Sequence, residues 1–577
     1  MIKIENLSYS FPQKDLFNKI SFTLENKQHC AFIGTSGSGK STLIDIILNP
    51  DNYMYDGLLE IDPLCKTGYV SQFIEEHHIN KTVFEFIGEK FLALQDKINE
   101  ICIEMETAED VEKLLEDYQE AYDAYEALGG DSYKNTIEKK LNQADLIKHK
   151  DLSVSELSGG EFKLIQVIKE MLVHPDLIIM DEPDVFLDFE NLNGLKNLMN
   201  SHKGVLLVIT HNRYLLNHCF NKIIHLEDMT LNEFEGRYIE YNLSLLQTKI
   251  ELQEMAIKDT EEIARNEALI DQLREAATAH AEASKGKSLK ARVKIQERLE
   301  ARRTQMPFVD IKQPGIHFDY DKELEDKPVL SANHYSAAFD DILLEEVDFE
   351  INSTDKVALI GPNGTGKTTL LRDVFNHHPS IKIDDDTKIA FLSQHQNESL
   401  KESNRIVDEF FDAGFESYSD IKSHLFGYGF EEKMLTQQIS SLSGGEKNIL
   451  QLAKIAALQA DLLLLDEPTS HLDTYSQIAL ENAIDNYSGA VLMISHDYYT
   501  IVNCMDYVLL IEDKTIRKVK MKKFKRMIYK KHFDKDYLEI EQKKKAIETR
   551  IEIALKKHDF ETARKISDEL EAIIEAF

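Results

Sequence analysis

The sequence predicts an α/β protein: two phosphate-loop domains joined by a long α-helical hairpin linker, with a helical C-terminal extension. Three observations carry this. One set of short motifs occurs twice, in the same order and at matching spacing. A stretch free of Gly and Pro, long enough for one extended helix, lies between the copies. No apolar run approaches the roughly 18–20 residues needed to span a bilayer.

The 577 residues leave room for about three to four domains of ~150 residues each. Hydrophobic residues make up 42% and charged residues 29%, as in ordinary globular proteins. The net charge of -35 argues against general coating of nucleic acid, because phosphate affinity comes from Lys and Arg. Local basic patches stay possible. The opening Met1-Ile2-Lys3-Ile4-Glu5-Asn6 carries acid early and lacks an apolar core before a cleavage site, so no signal peptide is expected. Cys30, Cys65, Cys102, Cys219 and Cys504 are scattered and form no CxxC pair, which suits a reducing, cytoplasmic setting.

Two segments match G-x4-G-K-[ST]. The first runs Gly34-Thr35-Ser36-Gly37-Ser38-Gly39-Lys40-Ser41-Thr42, the second Gly361-Pro362-Asn363-Gly364-Thr365-Gly366-Lys367-Thr368-Thr369. Each follows a short apolar run and precedes a helix-like stretch, the context the motif needs. Glycines let backbone amides curl around phosphate oxygens, and the helix N-terminus adds partial positive charge. Lys40 and Lys367 are placed to reach the β- and γ-phosphates, Ser41 and Thr368 to put a hydroxyl on Mg²⁺.

Three further motifs recur. Leu157-Ser158-Gly159-Gly160-Glu161 returns as Leu442-Ser443-Gly444-Gly445-Glu446. An apolar strand ends in Asp181-Glu182-Pro183 and again in Asp466-Glu467-Pro468. Another ends in His211 and again in His496. Ser158 to Asp181 and Ser443 to Asp466 both span 23 residues, and each Asp precedes its His by 30.

On these motifs the chain resembles the ATP-binding cassette superfamily, over about 1–238 and 323–515. The resemblance implies two ABC-type P-loop ATPase domains facing head to tail, paired within one monomer, with ATP and Mg²⁺ as ligands. The first site then joins Gly34, Gly37, Gly39, Lys40, Ser41 and Thr42 to Ser443 and Gly445. The second joins Gly361, Gly364, Gly366, Lys367, Thr368 and Thr369 to Ser158 and Gly160. Asp181 and Asp466 hold the Mg²⁺ shell, with Gln72 and Gln394 as the glutamines that sense it. Glu182 and Glu467 act as general base or orient the attacking water. His211 and His496 contact the γ-phosphate side. Phe11 and Phe339 stand where the family stacks an aromatic on adenine, although Tyr9 and Tyr335 compete for that role.

One departure separates the halves. The second reads Asp466-Glu467-Pro468-Thr469-Ser470-His471-Leu472-Asp473, close to the family pattern. The first has Asp184, Val185 and Phe186 where the second has Thr469, Ser470 and His471. Unequal turnover at the two sites is expected.

The offset between the repeats is 327 at the lysines, 322 at the glutamines and 285 at the signature serines. Most of the first half's extra length therefore lies between Gln72 and Ser158. It reads as a helical arm at about 80–130, or simply as a larger helical subdomain. Thr82 with Glu85 forms a capping-box signature, Thr107 with Asp110 a similar one. Val111, Leu114, Leu115, Tyr118, Tyr122 and Tyr125 recur at helical spacing, and Gly129-Gly130 ends the helix.

The linker, 239–322, starts with a helix from Leu243 to about His280. Leu246, Ile250, Ile257, Ile263, Ile270 and Leu273 mark its apolar stripe. A turn is expected at Ser284-Lys285-Gly286-Lys287-Ser288, and a return helix from Leu289 to about Arg303. Charge here changes sign: residues 283–303 carry a net +6, including Lys285, Lys287, Lys290, Arg292 and Lys294. Residues 514–531 carry ten Lys or Arg and no acid. Such segregation suits two places that meet phosphate, although solvated helices look similar. A basic and helical extension, 516–577, then forms a hairpin with Ile540, Ile547, Ile551 and Leu555 on one face.

Twin cassettes, an arm and a cationic hairpin linker together resemble the ABC-F family. So does Phe234-Glu235-Gly236-Arg237-Tyr238-Ile239-Glu240-Tyr241, which leads into the linker. That resemblance implies a 70S ribosome partner, with the linker entering the tRNA exit site towards 23S rRNA, peptidyl-tRNA and the peptidyl-transferase centre. Translation control and antibiotic resistance both occur in the family. The alternative is a duplicated ATPase subunit of a membrane transporter.

Overall fold

The computed structural model describes residues 2–11, 14–72, 80–107, 111–185, 187–279, 283–301, 314–318, 320, 327–339, 341–384, 386–394, 399–531 and 535–575. The chain divides into two compact units. Met1–Glu235 with Gln313–Phe533 form the first, Gly236–Lys312 with Asp534–Phe577 the second.

The first unit holds both cassettes, each on the same plan. A six-stranded sheet runs, in spatial order, Thr67–Val70, Leu177–Asp181, Val205–Ile209, His29–Ile33, Lys222–Glu227 and Thr230–Glu235. Its counterpart runs Ile389–Leu392, Leu462–Asp466, Ala490–Ile494, Lys356–Ile360, Tyr507–Glu512 and Thr515–Lys520. All pairs are parallel except the last in each sheet. Parallel strands covered on both faces read as unbroken apolar runs, and Leu177–Met180 and Leu462–Leu465 are fully buried. A three-stranded antiparallel sheet adds to each: Lys14–Leu24, Ile2–Phe11 and Asp56–Ile61, then Ile342–Asn352, Pro328–Ala338 and Ile381–Ile383.

Both phosphate loops leave the carboxyl ends of central strands and enter the helices Lys40–Leu48 and Lys367–Phe375. Such strand ends are where open α/β sheets bind ligands. The helices Phe189–Ser201 and Thr474–Asn486 keep the offset of 285 between the repeats.

The first cassette's extra length forms the helices Val83–Ile87, Glu89–Thr107, Glu112–Ala127 and Tyr133–Gln143. Thr82 and Glu85 make the expected capping box. The cap expected between Thr107 and Asp110 lies partly outside the described residues. Thr107 ends its own helix, with its hydroxyl on the Glu104 carbonyl at 3.3 Å, and Val111 precedes the next helix without a side-chain cap. Asp110 lies outside the described residues. Gly129 turns left-handed (φ 81°) after Leu128, as the glycine pair suggests. Of the expected apolar stripe, Tyr125 is buried while Leu115 stays exposed.

Both cassette-two boundaries shift. Its packing begins before 323: the Gly315 amide donates to the Gly427 carbonyl at 2.7 Å, and Ile316 and Phe318 are buried. It also runs past 515. Thr515–Lys520 is the antiparallel edge strand of the sheet, and the following helix Met521–Lys531 is anchored by buried Phe524 and Ile528. The basic run thus belongs to the cassette, because its apolar residues fall at i and i+4 beneath the lysines.

In the second unit, the helix Tyr238–Ala279 is 42 residues long, about 60 Å at 1.5 Å per residue. Near its start, Ile239, Leu243 and Ile250 pack against Ile547, Ile551, Leu555, Ile566, Leu570 and Ile574 of the helices Lys535–Lys556 and Phe560–Glu575. Farther along, it pairs with Ala283–Ala301. There Asn266 and Gln296 are buried and bonded at 2.7 Å. The expected turn at Ser284–Ser288 is instead helical, since a single glycine inside a helix costs only about 1 kcal/mol. Residues 280–282, between the two helices, lie outside the described set.

Candidate functional site

Each phosphate loop is built from left-handed glycines. Gly37 and Gly39 have φ of 76° and 103°, Gly364 and Gly366 of 79° and 88°. A Cβ on Gly34 would lie 2.2 Å from the Leu226 carbonyl oxygen, so only glycine fits there. Lys40 Nζ donates to the Gly34 and Thr35 carbonyls at 2.9 Å, and Lys367 Nζ to Gly361 and Pro362 at 2.8 Å. Burial lowers the pKa of both lysines, against the pull of Glu182 and Glu467 respectively.

The signature serines start helices. Ser158 caps Gly159–Leu172 and Ser443 caps Gly444–Ala456, each in a capping box with the motif's glutamate. Each helix start meets the other cassette. Ser36 Oγ lies 3.1 Å from Ser443 Oγ, and the Ser36 amide donates to Asp473 at 3.1 Å. A Cβ on Gly445 would come within 2.3 Å of Ser36 Oγ. Opposite, the Asn363 amide donates to Asp188 at 3.4 Å. There Ser158, Gly160, Phe339, Gly364, Gly366, Lys367, Thr368, Thr369, Gln394, Asp466, Glu467 and His496 line one cavity of about 640 Å³. The sequence-derived groups of the second site therefore converge from both cassettes.

The paired glutamates share an unusual backbone. Glu182 has φ 44° and Glu467 φ 49°, and their amides donate at 3.0 Å to Ile209 and Ile494, just before the histidine loops. Left-handed non-glycine residues cluster where function over-determines the chain. Burial, then the nearby lysine charge, pushes His211 and His496 down to about 4 and about 3, so both imidazoles are neutral. The His496 amide lies 3.3 Å from Glu467 Oε2 and its Nε2 3.5 Å from Oε1.

The glutamates differ in their company. Gln72 Nε2 donates to Glu182 Oε2 at 2.7 Å, and His471 Nδ1, from the other cassette, sits 3.1 Å from the same oxygen. Burial opposes the charge of Glu182, but the His471 contact and the charges of His471, His211 and Lys40 outweigh it and hold its pKa below the usual value. Burial, reinforced by Asp466, pushes Glu467 up to about 8. Phe186, the counterpart of His471, lies outside the described residues.

The first site suits a divalent cation. Burial raises Asp181 to about 6 against its hydrogen bond to Ser41. Its Oδ1 is buried without a hydrogen-bond partner among the described residues. Among those residues no cluster of three His, Cys, Asp or Glu could hold a metal. Mg²⁺, however, takes few protein ligands and completes its shell with water and phosphate oxygens.

The four aromatic candidates differ in burial. Tyr335 is fully buried and donates to Asp373 at 2.6 Å, so it is core, and Tyr9 packs among Phe11, Phe17 and Tyr53. Phe11 and Phe339 are exposed. Of the linker cations, Lys290, Arg292 and Lys294 are exposed, and Arg292 also donates to Asn266 at 3.3 Å. The Lys285 and Lys287 side chains lie outside the described set.

Several residues escaped the sequence reading. Lys163 is buried and grips the Ser71 and Gln72 carbonyls, holding the first glutamine loop. Ser36, Asp188, His471 and Asp473 cross between cassettes. Their signals in sequence were the Leu-Asp end shared by both motifs, at Asp188 and Asp473, and the departure at His471 and Phe186.

Fold and motifs define a twin-cassette P-loop ATPase architecture. The profile of the ABC transporter family matches residues 17–185 and 344–470, and the chain belongs to that family. Its relatives include ABC-F proteins. It is 28% identical to ABC transporter F family member 5 of Arabidopsis thaliana, over 89% of this chain and 75% of that protein. It is also 28% identical to the ABC transporter ATP-binding protein YfmM of Bacillus subtilis (strain 168), over 86% and 96%. Among solved structures, the archaeal ribosome recycling factor aABCE1, in complex with the ribosomal stalk protein aP1, superposes with a TM-score of 0.51. That match covers 91% of this chain and 92% of the other at 16% identity. Among the described residues no helix is long and apolar enough to cross a membrane.

Proposed function

We propose that this chain is a cytoplasmic, monomeric, ribosome-associated ATPase of ABC-F type that hydrolyses ATP to ADP and phosphate. The observation that carries the ATPase part is the cavity in which Lys367, Asp466, Glu467 and His496 of one cassette face Ser158 and Gly160 of the other. Backbone amides of the loops and the helix starts at Ser158 and Ser443 hold the phosphates. Glu182 and Glu467 take the proton from, or orient, the attacking water, and the neutral His211 and His496 hold it on the γ-phosphate side. Ser41 with Asp181, and Thr368 with Asp466, near Gln72 and Gln394, would hold Mg²⁺, which would neutralise phosphate charge. Phe11 and Phe339 stack on adenine.

Because each site needs both cassettes, nucleotide favours the closed pair, and closure is the two-state element a partner can bias. The 70S ribosome is that partner in this reading. The basic linker, with Lys285, Lys287, Lys290, Arg292 and Lys294, enters the tRNA exit site and meets 23S rRNA and peptidyl-tRNA through phosphate contacts and shape. The outcome is a change in translation or protection from an antibiotic. Similarity to ABC-F proteins and a fold shared with an archaeal ribosome recycling factor support the partner.

The test is sedimentation of the Glu182→Gln, Glu467→Gln double variant through sucrose with ATP. Co-migration with 70S particles is expected. Recovery with membranes refutes the reading in favour of a transporter subunit. Growth with and without ribosome-targeting antibiotics then separates the two outcomes.

A further inference from the structure

Apart from the groups assigned to nucleotide, one buried ion cluster joins the cassettes. Arg213 opens the helix Arg213–His218, two residues after His211. Its guanidinium donates to Glu481 Oε1 and, at 2.8 Å, to Asp497 Oδ2, both on the second cassette. The guanidinium carbon lies 4.7 Å from the centre of the Tyr499 ring. The three charged side chains are 13%, 2% and 16% exposed, so water competes little for the arginine. Both bonds leave one nitrogen, Nη2, so a single charged donor holds the two carboxylates together.

The partners are placed where movement matters. Glu481 rides on Thr474–Asn486, the helix capped by Asp473, which also accepts the Ser36 amide of the first phosphate loop. Asn503 Nδ2 donates to Glu481 at 3.0 Å, and Thr500 Oγ1 lies 3.2 Å from it. Asp497 directly follows His496. It caps the helix Tyr498–Cys504 by accepting the Tyr499 amide at 2.9 Å, and accepts the Thr500 hydroxyl at 2.9 Å. One arginine therefore ties the histidine loop of the first cassette to that of the second. Arg213 and Asp497 both line the cavity that holds Lys367, Glu467 and His496, a cavity that Glu182 and His211 of the first cassette also border.

The residue types of this tie are not repeated in the mirrored positions. At the repeat offset of 285, Glu481 corresponds to Lys196, Asp497 to Asn212 and Arg213 to Tyr498. The mirrored positions therefore carry no arginine and no carboxylate. Lys196 donates to Tyr214 Oη of its own cassette at 3.0 Å.

We propose that Arg213 is a positioning residue for the second ATP site, fixing the loop that carries His496 by bonding Glu481 and Asp497 once the cassettes meet. The proposal rests on the ATPase reading and adds to it a closure signal delivered to one site only.

The test isolates each site. In a Glu182→Gln background, Arg213→Ala lowers kcat at the second site about tenfold or more, while KM for ATP moves less than about twofold. In a Glu467→Gln background, the same change leaves the first site within about twofold. Asp497→Asn keeps the helix cap, because Asn caps as well as Asp, and reproduces the loss even where Arg213→Ala folds poorly. Arg213→Lys recovers part of the rate. Equal losses in both backgrounds, or none, overturn the proposal. A readout without hydrolysis stands apart from the ATPase reading. In the Glu182→Gln, Glu467→Gln variant, ATP slows amide exchange across Tyr498–Cys504, and Arg213→Ala abolishes that slowing. An unmutated chain with no turnover breaks the ATPase reading alone. Exchange that ignores Arg213 breaks the positioning role alone.

Discussion

Replacing His471 by Phe makes the loop opposite the first site resemble the one opposite the second, where Phe186 holds the matching position. The imidazole contacts Glu182 Oε2 at 3.1 Å and Gln72 Nε2 at 3.3 Å. A hydrogen bond to a charged group contributes about 1.5–3 kcal/mol. Gln72 still holds Glu182 at 2.7 Å, so the carboxylate keeps one partner and loses its alignment from the second cassette. If the whole contact acts in the transition state, single-turnover hydrolysis at the first site falls about 10- to 100-fold. The assay uses the Glu467→Gln background, in which the second site is silent. His471 has φ 60°, a backbone that Asn tolerates well and Phe poorly. His471→Asn is therefore the control for strain: it too should lose rate, since its shorter side chain falls short of the carboxylate. Unchanged rates in both variants, or equal losses at both sites, refute the reasoning.

Single Glu182→Gln and Glu467→Gln variants should show unequal burst rates, because the two glutamates have opposite electrostatic surroundings; equal bursts count against this. His202, stacked 6.4 Å from His29, is pushed down to about 4 by burial and then by His29. The unfolded chain takes up a proton near pH 6.5 that the folded chain refuses, so stability rises with pH between about 4 and 6.5. His202→Asn should flatten that slope, measured as denaturant midpoints across the window. Leu570→Ala removes a fully buried side chain of the second unit at a cost of about 2–5 kcal/mol. Faster amide exchange confined to the second unit is the expected sign. Lys290→Glu with Lys294→Glu should weaken ribosome binding and reduce its salt dependence by about one counter-ion per lost phosphate contact; unaltered salt dependence removes these residues from the interface.

The phosphate loops, the glutamates and the signature serines were legible because their chemistry needs set residue types at set spacing, and duplication showed that spacing twice. The flat ends of domains were not. The run Thr515–Lys520 reads as a cationic tail, yet Ile516 and Val519 pair it onto the sheet edge, and only tertiary packing reveals that. Ser284–Ser288 has turn composition, but a helix absorbs Gly286. Tyr335 and Phe339 compete on sequence, and only packing shows that the first is buried and the second exposed. Residues acting from the other cassette, such as His471, Asp473 and Arg213, have no local pattern, since their partners are hundreds of positions away.

The second unit is assembled from distant stretches: Ile239, Leu243 and Ile250 share one core with residues 547–574. During synthesis, the apolar stripe of the long helix emerges well before the segment that covers it, with the whole second cassette made in between. Until then those isoleucines and leucines face solvent. A nascent chain of this kind completes its spacer only after its second cassette, so premature stops near residue 540 should leave chains whose cassettes form but whose spacer is sticky and prone to association.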